Sequence, residues 1–136
     1  MTLREQLIRD EGMRLKPYRD QLGKLTIGIG RNLDDVGLFR DEVELMLDND
    51  IERSAADVEA RLPWTATLSE PRRGALVNLT FNMGIGGLLA FRKMLTALQD
   101  EQWETAAAEL LDSVYAEQVG PRAHRLAQQL RSDSWV

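Results

Sequence analysis

The feature that most constrains this chain is one long helical pattern near the middle of its sequence. From Arg40 to Arg61, apolar residues recur at spacings of three and four, and acidic residues occupy most of the outer positions. Pro63 ends the pattern. A helix of this length spans about 30 Å, so it is long enough to connect two lobes. The predicted apolar stripe consists of Val43, Leu47, Ile51, Ser54, Val58 and Leu62.

The segment before this helix begins with the signature of a short helix. Thr2 and Glu5 have the spacing of a capping box, in which each residue satisfies a free N–H group of the other. Gly12 is a natural stop. The pattern therefore predicts a helix over about residues 3–11.

After Pro17 the apolar residues alternate instead. Leu25, Ile27 and Ile29 share one face, which predicts a strand in a small antiparallel hairpin. The other face carries only Thr26 and two glycines. We expect that face to be open enough for a ligand to approach the backbone.

The segment after the long helix is helical in pattern up to its end. Ser69 has the position of an N-cap, and the apolar run that follows predicts a central buried helix ending at Gly84. Further helices are predicted at about residues 91–99, 103–112 and 121–131. These patterns predict an α+β fold in one domain, residues 1–136. Its expected parts are a small β lobe at about 13–39, a connecting helix at about 40–62, and a helical lobe at about 63–136.

Composition excludes several kinds of functional site. The chain has no cysteine and one histidine, so we expect no disulfide, no cysteine nucleophile, and no metal or other cofactor. Its formal net charge of −5 argues against a nucleic-acid partner. No apolar run approaches the roughly 20 residues of a membrane span, so stable membrane insertion is not expected. The first residues lack the apolar core of a signal peptide, so we expect no export through the Sec pathway.

Three side chains near the N-terminus suit the hydrolysis of a glycosidic bond. Glu11 ends the first predicted helix, Asp20 lies beside a turn, and Thr26 is on the predicted strand. Such hydrolysis needs an acid that protonates the leaving oxygen and a second group that manages the attacking water or the glycosyl cation. Spacing alone favours the commoner interpretation, in which both acids are solvated surface carboxylates.

The residues around these three side chains carry a more specific signal. Residues 10–20 read D-E-G-M-R-L-K-P-Y-R-D, and T-I-G-I-G follows at 26–30. With Glu11, Asp20 and Thr26 at this spacing, the segment closely resembles the N-terminal catalytic region of T4-type phage lysozymes, glycoside hydrolase family 24. The similarity continues in N-L-T-F-N-M-G at residues 78–84, W-E-T-A-A at 103–107 and G-P-R-A-H-R at 120–125.

The resemblance implies a lysozyme-like fold, in which the long helix joins the small hairpin lobe to a larger helical lobe of about residues 63–136 together with 1–12. It implies an endolysin, a muramidase that hydrolyses the β-1,4 bond between N-acetylmuramic acid and N-acetylglucosamine of bacterial peptidoglycan with inversion. In this interpretation Glu11 is the general acid, and Asp20 and Thr26 position and activate the attacking water.

The resemblance also implies residues that support the site. Arg122 stands where the family places an arginine that contacts the catalytic glutamate. Asn78 and Asn82 lie one helical turn apart beside Phe81. The two asparagines are expected to line the cleft floor and contact N-acetyl groups of the substrate, or else to bond only to neighbouring backbone. For Arg122 the alternative is a solvated helix arginine.

Two other functions stay open at this point. A lytic transglycosylase would use Glu11 without a water activator, so Asp20 and Thr26 would have no role in it. A catalytically inactive wall-binding protein could retain the same fold. For the leading interpretation, we expect a monomer that remains in the host cytoplasm until a separate holin permeabilises the membrane.

The region after the predicted strand departs from the family pattern. The stretch between Gly30 and Arg40 is shorter than in the larger relatives, so we expect a truncated upper lip of the cleft. Arg31 stands where many relatives have a histidine. We expect it to form an ion pair with Asp50 on the long helix, which would keep its charge at any physiological pH.

Overall fold

Seven α-helices, one short 3₁₀ turn and one three-stranded antiparallel sheet make up the protein. The computed structural model describes every residue from 1 to 136. Since the chain is mostly helical and carries a small sheet near its N-terminus, the predicted α+β class is confirmed. The elements are α1 (Leu3–Glu11), β1 (Arg14–Arg19), β2 (Leu25–Gly28), β3 (Arg31–Asn32), α2 (Arg40–Arg61), the 3₁₀ turn (Pro63–Thr67), α3 (Glu70–Leu89), α4 (Arg92–Gln99), α5 (Trp103–Leu111), α6 (Val114–Val119) and α7 (Pro121–Ser132).

The chain divides into two compact units, residues 1–46 and residues 47–136. The first unit holds α1, the sheet and the start of α2. The second holds the rest of α2 and all later helices. The assignment of residues 1–12 to the helical lobe stays a prediction.

Helix α1 begins and ends at the residues that its sequence indicates. The Thr2 hydroxyl accepts a hydrogen bond from the Glu5 N–H at 3.2 Å, and the Glu5 carboxylate accepts one from the Thr2 N–H at 2.7 Å. Gly12 stops the helix with a φ of 75° and donates its N–H to the carbonyl of Ile8. The helix therefore begins after Thr2, and Glu11 is its last residue.

The sheet has one strand more than the predicted hairpin. Strand β3 pairs with β2 on the side away from β1, so β2 is the central strand. Thr26 therefore lies between Tyr18 on β1 and Asn32 on β3. Directly opposite residues of antiparallel strands project to the same face, so these two neighbours flank the Thr26 side chain. The predicted open face is closed at Thr26, which is only 3% exposed, and open at Gly28, where a Cβ would meet nothing within 4 Å.

Helix α2 spans the predicted residues, but only its C-terminal half packs into a core. Val58 is fully buried, whereas Val43, Leu47 and Ile51 are 44–49% exposed. The apolar spacing thus predicted the helix correctly and overestimated how much of its stripe is covered.

The second unit packs its helices around one apolar core. Four alanines of α5 and α7 are fully buried, and their small side chains let the two helices approach closely. They are Ala106, Ala107, Ala123 and Ala127. The largest fully buried apolar side chains are Leu76, Leu79, Leu88, Met94, Leu98, Leu110, Leu130 and Val58.

Helix α3 is bent at the residue where the sequence predicts its end. Gly84 has a φ of 78° and a ψ of 166°, which is not a helical conformation. Helical structure resumes after it and continues to Leu89, so the predicted stop is a kink. No single helix is long and apolar enough to cross a membrane, and the pair of α3 and α4, bent by 98°, passes that test only together.

Candidate active site

Glu11 presents its carboxyl from the end of α1 without a charged partner. Arg9, the cation two residues before it, is bonded to Asp10 at 2.8 Å instead. The Glu11 side chain is exposed and packs against the backbone of Gly30. A methyl group added at Gly30 would lie 2.8 Å from Oε2 of Glu11, so the close approach depends on a residue without a side chain. Gly30 therefore contacts the carboxyl on one side, and the carboxyl is otherwise accessible to a ligand.

Asp20 is held in place by the turn that joins β1 to β2. Its Oδ1 accepts hydrogen bonds from the backbone N–H groups of Leu22, at 2.8 Å, and Lys24, at 2.9 Å. Its own N–H donates to the Lys24 carbonyl, also at 2.9 Å. This is the local side-chain bonding by which aspartate stabilises turns. It orients the carboxylate and leaves the second oxygen for another donor.

Thr26 shares an anchor with Asp20. Its hydroxyl donates to the carbonyl of Lys24 at 2.9 Å. The Lys24 backbone therefore bonds to Asp20 through both its N–H and its carbonyl, and to Thr26 through its carbonyl. Because the Thr26 proton is directed to a carbonyl, only lone pairs remain on the hydroxyl to meet a further group. The fold thus brings Glu11, Asp20 and Thr26 into the same compact unit.

Arg31 forms its ion pair with Glu42 and not with Asp50. The guanidinium donates two parallel hydrogen bonds to Glu42, at 2.8 and 2.7 Å, and one to the Gly37 carbonyl, at 3.2 Å. Asp50 is instead paired with Arg53, one turn along α2. The prediction of an Arg31–Asp50 pair is therefore wrong. Glu42, the acid at the start of α2, lies next to the short connection that follows β3. Its carboxylate can therefore accept two parallel hydrogen bonds from the Arg31 guanidinium.

This pair changes the titration of its acid. The hydrogen bonds from Arg31, and secondly the one from the Phe39 N–H, lower the pKa of Glu42 from 4.5 to about 2. The same contact raises the pKa of Arg31 above its ordinary value. Both groups therefore stay charged throughout the physiological range.

The four predicted supporting residues lie in the second unit. Arg122 on α7 donates from Nε and Nη2 to Oδ1 of Asn78 on α3, at 3.1 and 2.7 Å. Both residues, with Phe81, line a groove of about 500 Å³. Asn82 is exposed and does not line this groove. The other lining residues are Leu47, Ile51, Ala55, Glu70, Arg73, Gly74, Val77 and Trp135.

Three contributors to the site were not singled out from the sequence. Gly30 supports Glu11, the Lys24 peptide anchors both Asp20 and Thr26, and Glu42 holds Arg31. Gly30 had a signal, since it closes the T-I-G-I-G motif. Lys24 and Glu42 had none, because one acts through its backbone and the other is one of several acids at the start of α2. No group of three histidine or carboxylate side chains is arranged to hold a metal ion.

Comparison with known proteins identifies the family. The family model described as Phage lysozyme matches residues 9–129. The chain belongs to the phage lysozyme family. This confirms the resemblance seen in the sequence and the lysozyme-like form of the α+β fold, and it supports a lysozyme-type, or muramidase-type, peptidoglycan hydrolase.

Individual relatives fall into two groups by length. This phage lysozyme family member is 30% identical to the pre-baseplate central spike protein Gp5 of Enterobacteria phage T4, over 93% of the chain and 27% of the spike protein. It therefore spans about a quarter of that relative. It is also similar to the probable T4-type lysozymes 1 and 2 of Dictyostelium discoideum, at 26% and 29% identity. Those matches cover 92% of this chain and 91% of each relative.

Proposed function

We propose that the protein is an endolysin that hydrolyses the β-1,4 bond between N-acetylmuramic acid and N-acetylglucosamine with inversion. Glu11 is the general acid, and Asp20 and Thr26 position the attacking water. The observation that carries the proposal is an unpartnered Glu11 in the same unit as a turn-anchored Asp20.

The environment of Glu11 supports the role of proton donor. A general acid must reach the leaving oxygen of the substrate, so at least one oxygen of its carboxyl must be free of internal bonds. Glu11 meets this requirement, because the neighbouring cation Arg9 is bonded to Asp10. Its position against Gly30 limits the directions in which the carboxyl can point.

Asp20 and Thr26 support the role of water holder. A water that attacks a carbon must direct a lone pair at it, so its two hydrogens need acceptors. Asp20 has a second carboxylate oxygen that the turn does not use, and Thr26 has lone pairs because its proton goes to Lys24. An inverting enzyme needs such a holder on the sugar face opposite the acid. A transglycosylase needs none, since the sugar's own hydroxyl closes the ring.

Substrate contact by the second unit belongs to the same proposal. Asn78, Phe81 and Arg122 line one groove, and Asn82 is exposed one turn beyond Asn78. Amide and guanidinium groups can bond to the N-acetyl and hydroxyl groups of a sugar chain. We propose that these four residues contact peptidoglycan.

Product analysis tests the chemistry. Fresh digests of peptidoglycan, followed by NMR, should show reducing N-acetylmuramic acid ends that form initially as the α-anomer. Predominantly 1,6-anhydro ends would show a transglycosylase, and an initial β-anomer would show retention. Co-sedimentation with peptidoglycan without any cleavage would show a wall-binding protein.

A cellular experiment tests the role in lysis. We propose that the protein acts as a monomer, is held in the host cytoplasm, and reaches the cell wall only after a holin opens the membrane. Expression of this chain alone should then leave cells intact, and co-expression of a holin should lyse them. Prompt lysis without the holin would contradict this route. Sedimentation velocity at micromolar concentration checks the monomer.

A further inference from the structure

The Glu11 carboxyl contacts the backbone of Gly30 and forms no ion pair. Gly30 brings its backbone so close that a methyl group there would touch Oε2, Cδ and Cγ of Glu11 at 2.8, 3.0 and 3.2 Å. Since Glu11 has no ion pair, the Gly30 backbone is the contact that limits its carboxyl, on one side. A shift of Gly30 would therefore change the positions open to that carboxyl.

The segment after Gly30 is held on the side of β2. Arg31 and Asn32 make up β3 and pair with Ile27 and Thr26, and the Leu33 N–H continues the pairing by donating to the Leu25 carbonyl at 2.7 Å. None of these bonds joins the segment to α2.

The Arg31 side chain supplies a link from this segment to α2. Its two parallel bonds to Glu42 join β3 to the first turn of α2, and its third bond ties in the Gly37 carbonyl. The guanidinium also lies over the Phe39 ring, 5.5 Å from the centroid. Glu42 is itself oriented, because Oε1 accepts the Phe39 N–H at 2.8 Å. A bidentate pair restricts both distance and angle, which a lysine could not do.

We infer that Arg31 is a positioning residue for Glu11: through its ion pair with Glu42 it holds the Gly30 backbone against which the Glu11 carboxyl rests. The inference builds on the proposed function, in which Glu11 is the general acid. A misplacement of about 1 Å in a catalytic group can cost roughly 100-fold in rate, so loss of the pair reaches the chemistry without touching substrate.

The test compares kinetics on soluble, uncross-linked peptidoglycan strands at a temperature well below unfolding. The variants are Arg31→Leu, Glu42→Gln, the double variant, Arg31→Lys and the matched control Arg40→Leu. Arg40 forms an exposed ion pair with Glu44 on the same helix and does not touch Arg31. Glu42→Gln keeps an oxygen for the Phe39 N–H, so it preserves the start of α2 if Arg31→Leu does not fold.

We expect Arg31→Leu and Glu42→Gln each to lower kcat about 10- to 100-fold with KM nearly unchanged, because the acid acts in the transition state. The double variant should be no worse than either single one, since both remove the same pair. Arg31→Lys should recover only part of the loss, and Arg40→Leu should equal the wild type. Folded variants with unchanged kcat, a loss confined to KM, or multiplicative losses in the double variant would each overturn the inference.

A second readout does not depend on activity. The ¹³C chemical shift of the Glu11 carboxyl, assigned by its disappearance in Glu11→Gln, should move in Arg31→Leu and Glu42→Gln and stay fixed in Arg40→Leu. Unmoved shifts in all three variants would contradict the inference. If the wild type cleaves no peptidoglycan, the proposed function fails, and this measurement still decides whether the pair positions Glu11.

Discussion

The carboxyl of Glu11 lies so close to the backbone of Gly30 that a Cβ at position 30 would displace it. Gly28, two residues earlier, has the same φ of 71° but nothing within 4 Å of where a Cβ would be. The two glycines therefore form a matched pair, in which the positive φ is shared and contact with the candidate acid is not.

Gly30→Ala should impair activity far more than Gly28→Ala. Both variants force alanine into the left-handed region, which costs about 1–2 kcal/mol, so both should lower Tm. Only Gly30→Ala displaces Glu11, and we expect its kcat to fall about 10-fold or more. Steady-state kinetics and thermal unfolding followed by circular dichroism measure the two effects. Equal activity in the two variants would show that the Glu11 contact does not matter.

Glu11→Gln should abolish most of the activity without weakening binding. Glutamine retains the shape of the side chain but has no proton to transfer. General acid catalysis contributes about 10²- to 10⁴-fold, so kcat should fall by at least that much. Co-sedimentation with peptidoglycan should be unchanged. Substantial remaining hydrolysis would exclude Glu11 as the acid.

Asp20 offers a way to separate its chemical role from its role in the turn. Asp20→Asn keeps an oxygen that can accept the N–H groups of Leu22 and Lys24, whereas Asp20→Ala removes it. Both variants should lose most of the hydrolytic activity, because neither has a carboxylate to hold the water. Only Asp20→Ala should also be destabilised, by about 1–2 kcal/mol, measured by urea unfolding. An active Asp20→Asn would mean that Asp20 is purely structural.

The Arg31–Glu42 pair should make stability depend on pH in acid. The pKa of Glu42 is lowered from 4.5 to about 2, so the native state favours the ionised form. The stabilisation is present in full above pH 4.5 and is lost as the pH falls towards 2. The difference in Tm between wild type and Glu42→Gln should therefore be largest near neutrality and shrink across this range. A constant difference down to pH 2 would contradict the assignment; Glu44→Gln on the same helix is the control.

Arg72 should be essential for stability although it is charged. Its guanidinium lies 3.7 Å from the centre of the Trp103 ring, and its Nε donates to the Leu130 carbonyl at 2.8 Å near the end of α7. Arg72→Met leaves buried carbonyls without donors, which costs about 1–3 kcal/mol. Arg73→Met, at the adjacent and more exposed position, should change stability by less than about 0.5 kcal/mol. Urea unfolding measures both, and equal effects would refute the role of the stack.

Local signals in the sequence were sufficient for most helix boundaries and for the family. Thr2 with Glu5 starts α1, Ser69 starts α3, and the stretch ahead of Pro63 is helical as predicted. Each of these signals acts between residues three or four positions apart, so no distant part of the fold is needed to read it. Helix α6 was missed, because six residues carry too little periodicity to be recognised.

Only the tertiary structure decided which groups meet. Burial of Thr26 required β3, a strand too short to show alternation, and the partner of Arg31 was one of several acids on the same helix. Sequence spacing determines which face of an element a residue occupies, but not which element packs against that face. The motif thus singled out Glu11, Asp20 and Thr26 as candidate site residues, while the groups that contact Glu11 and Asp20, the Gly30 backbone and the Lys24 backbone, followed from the path of the chain in space.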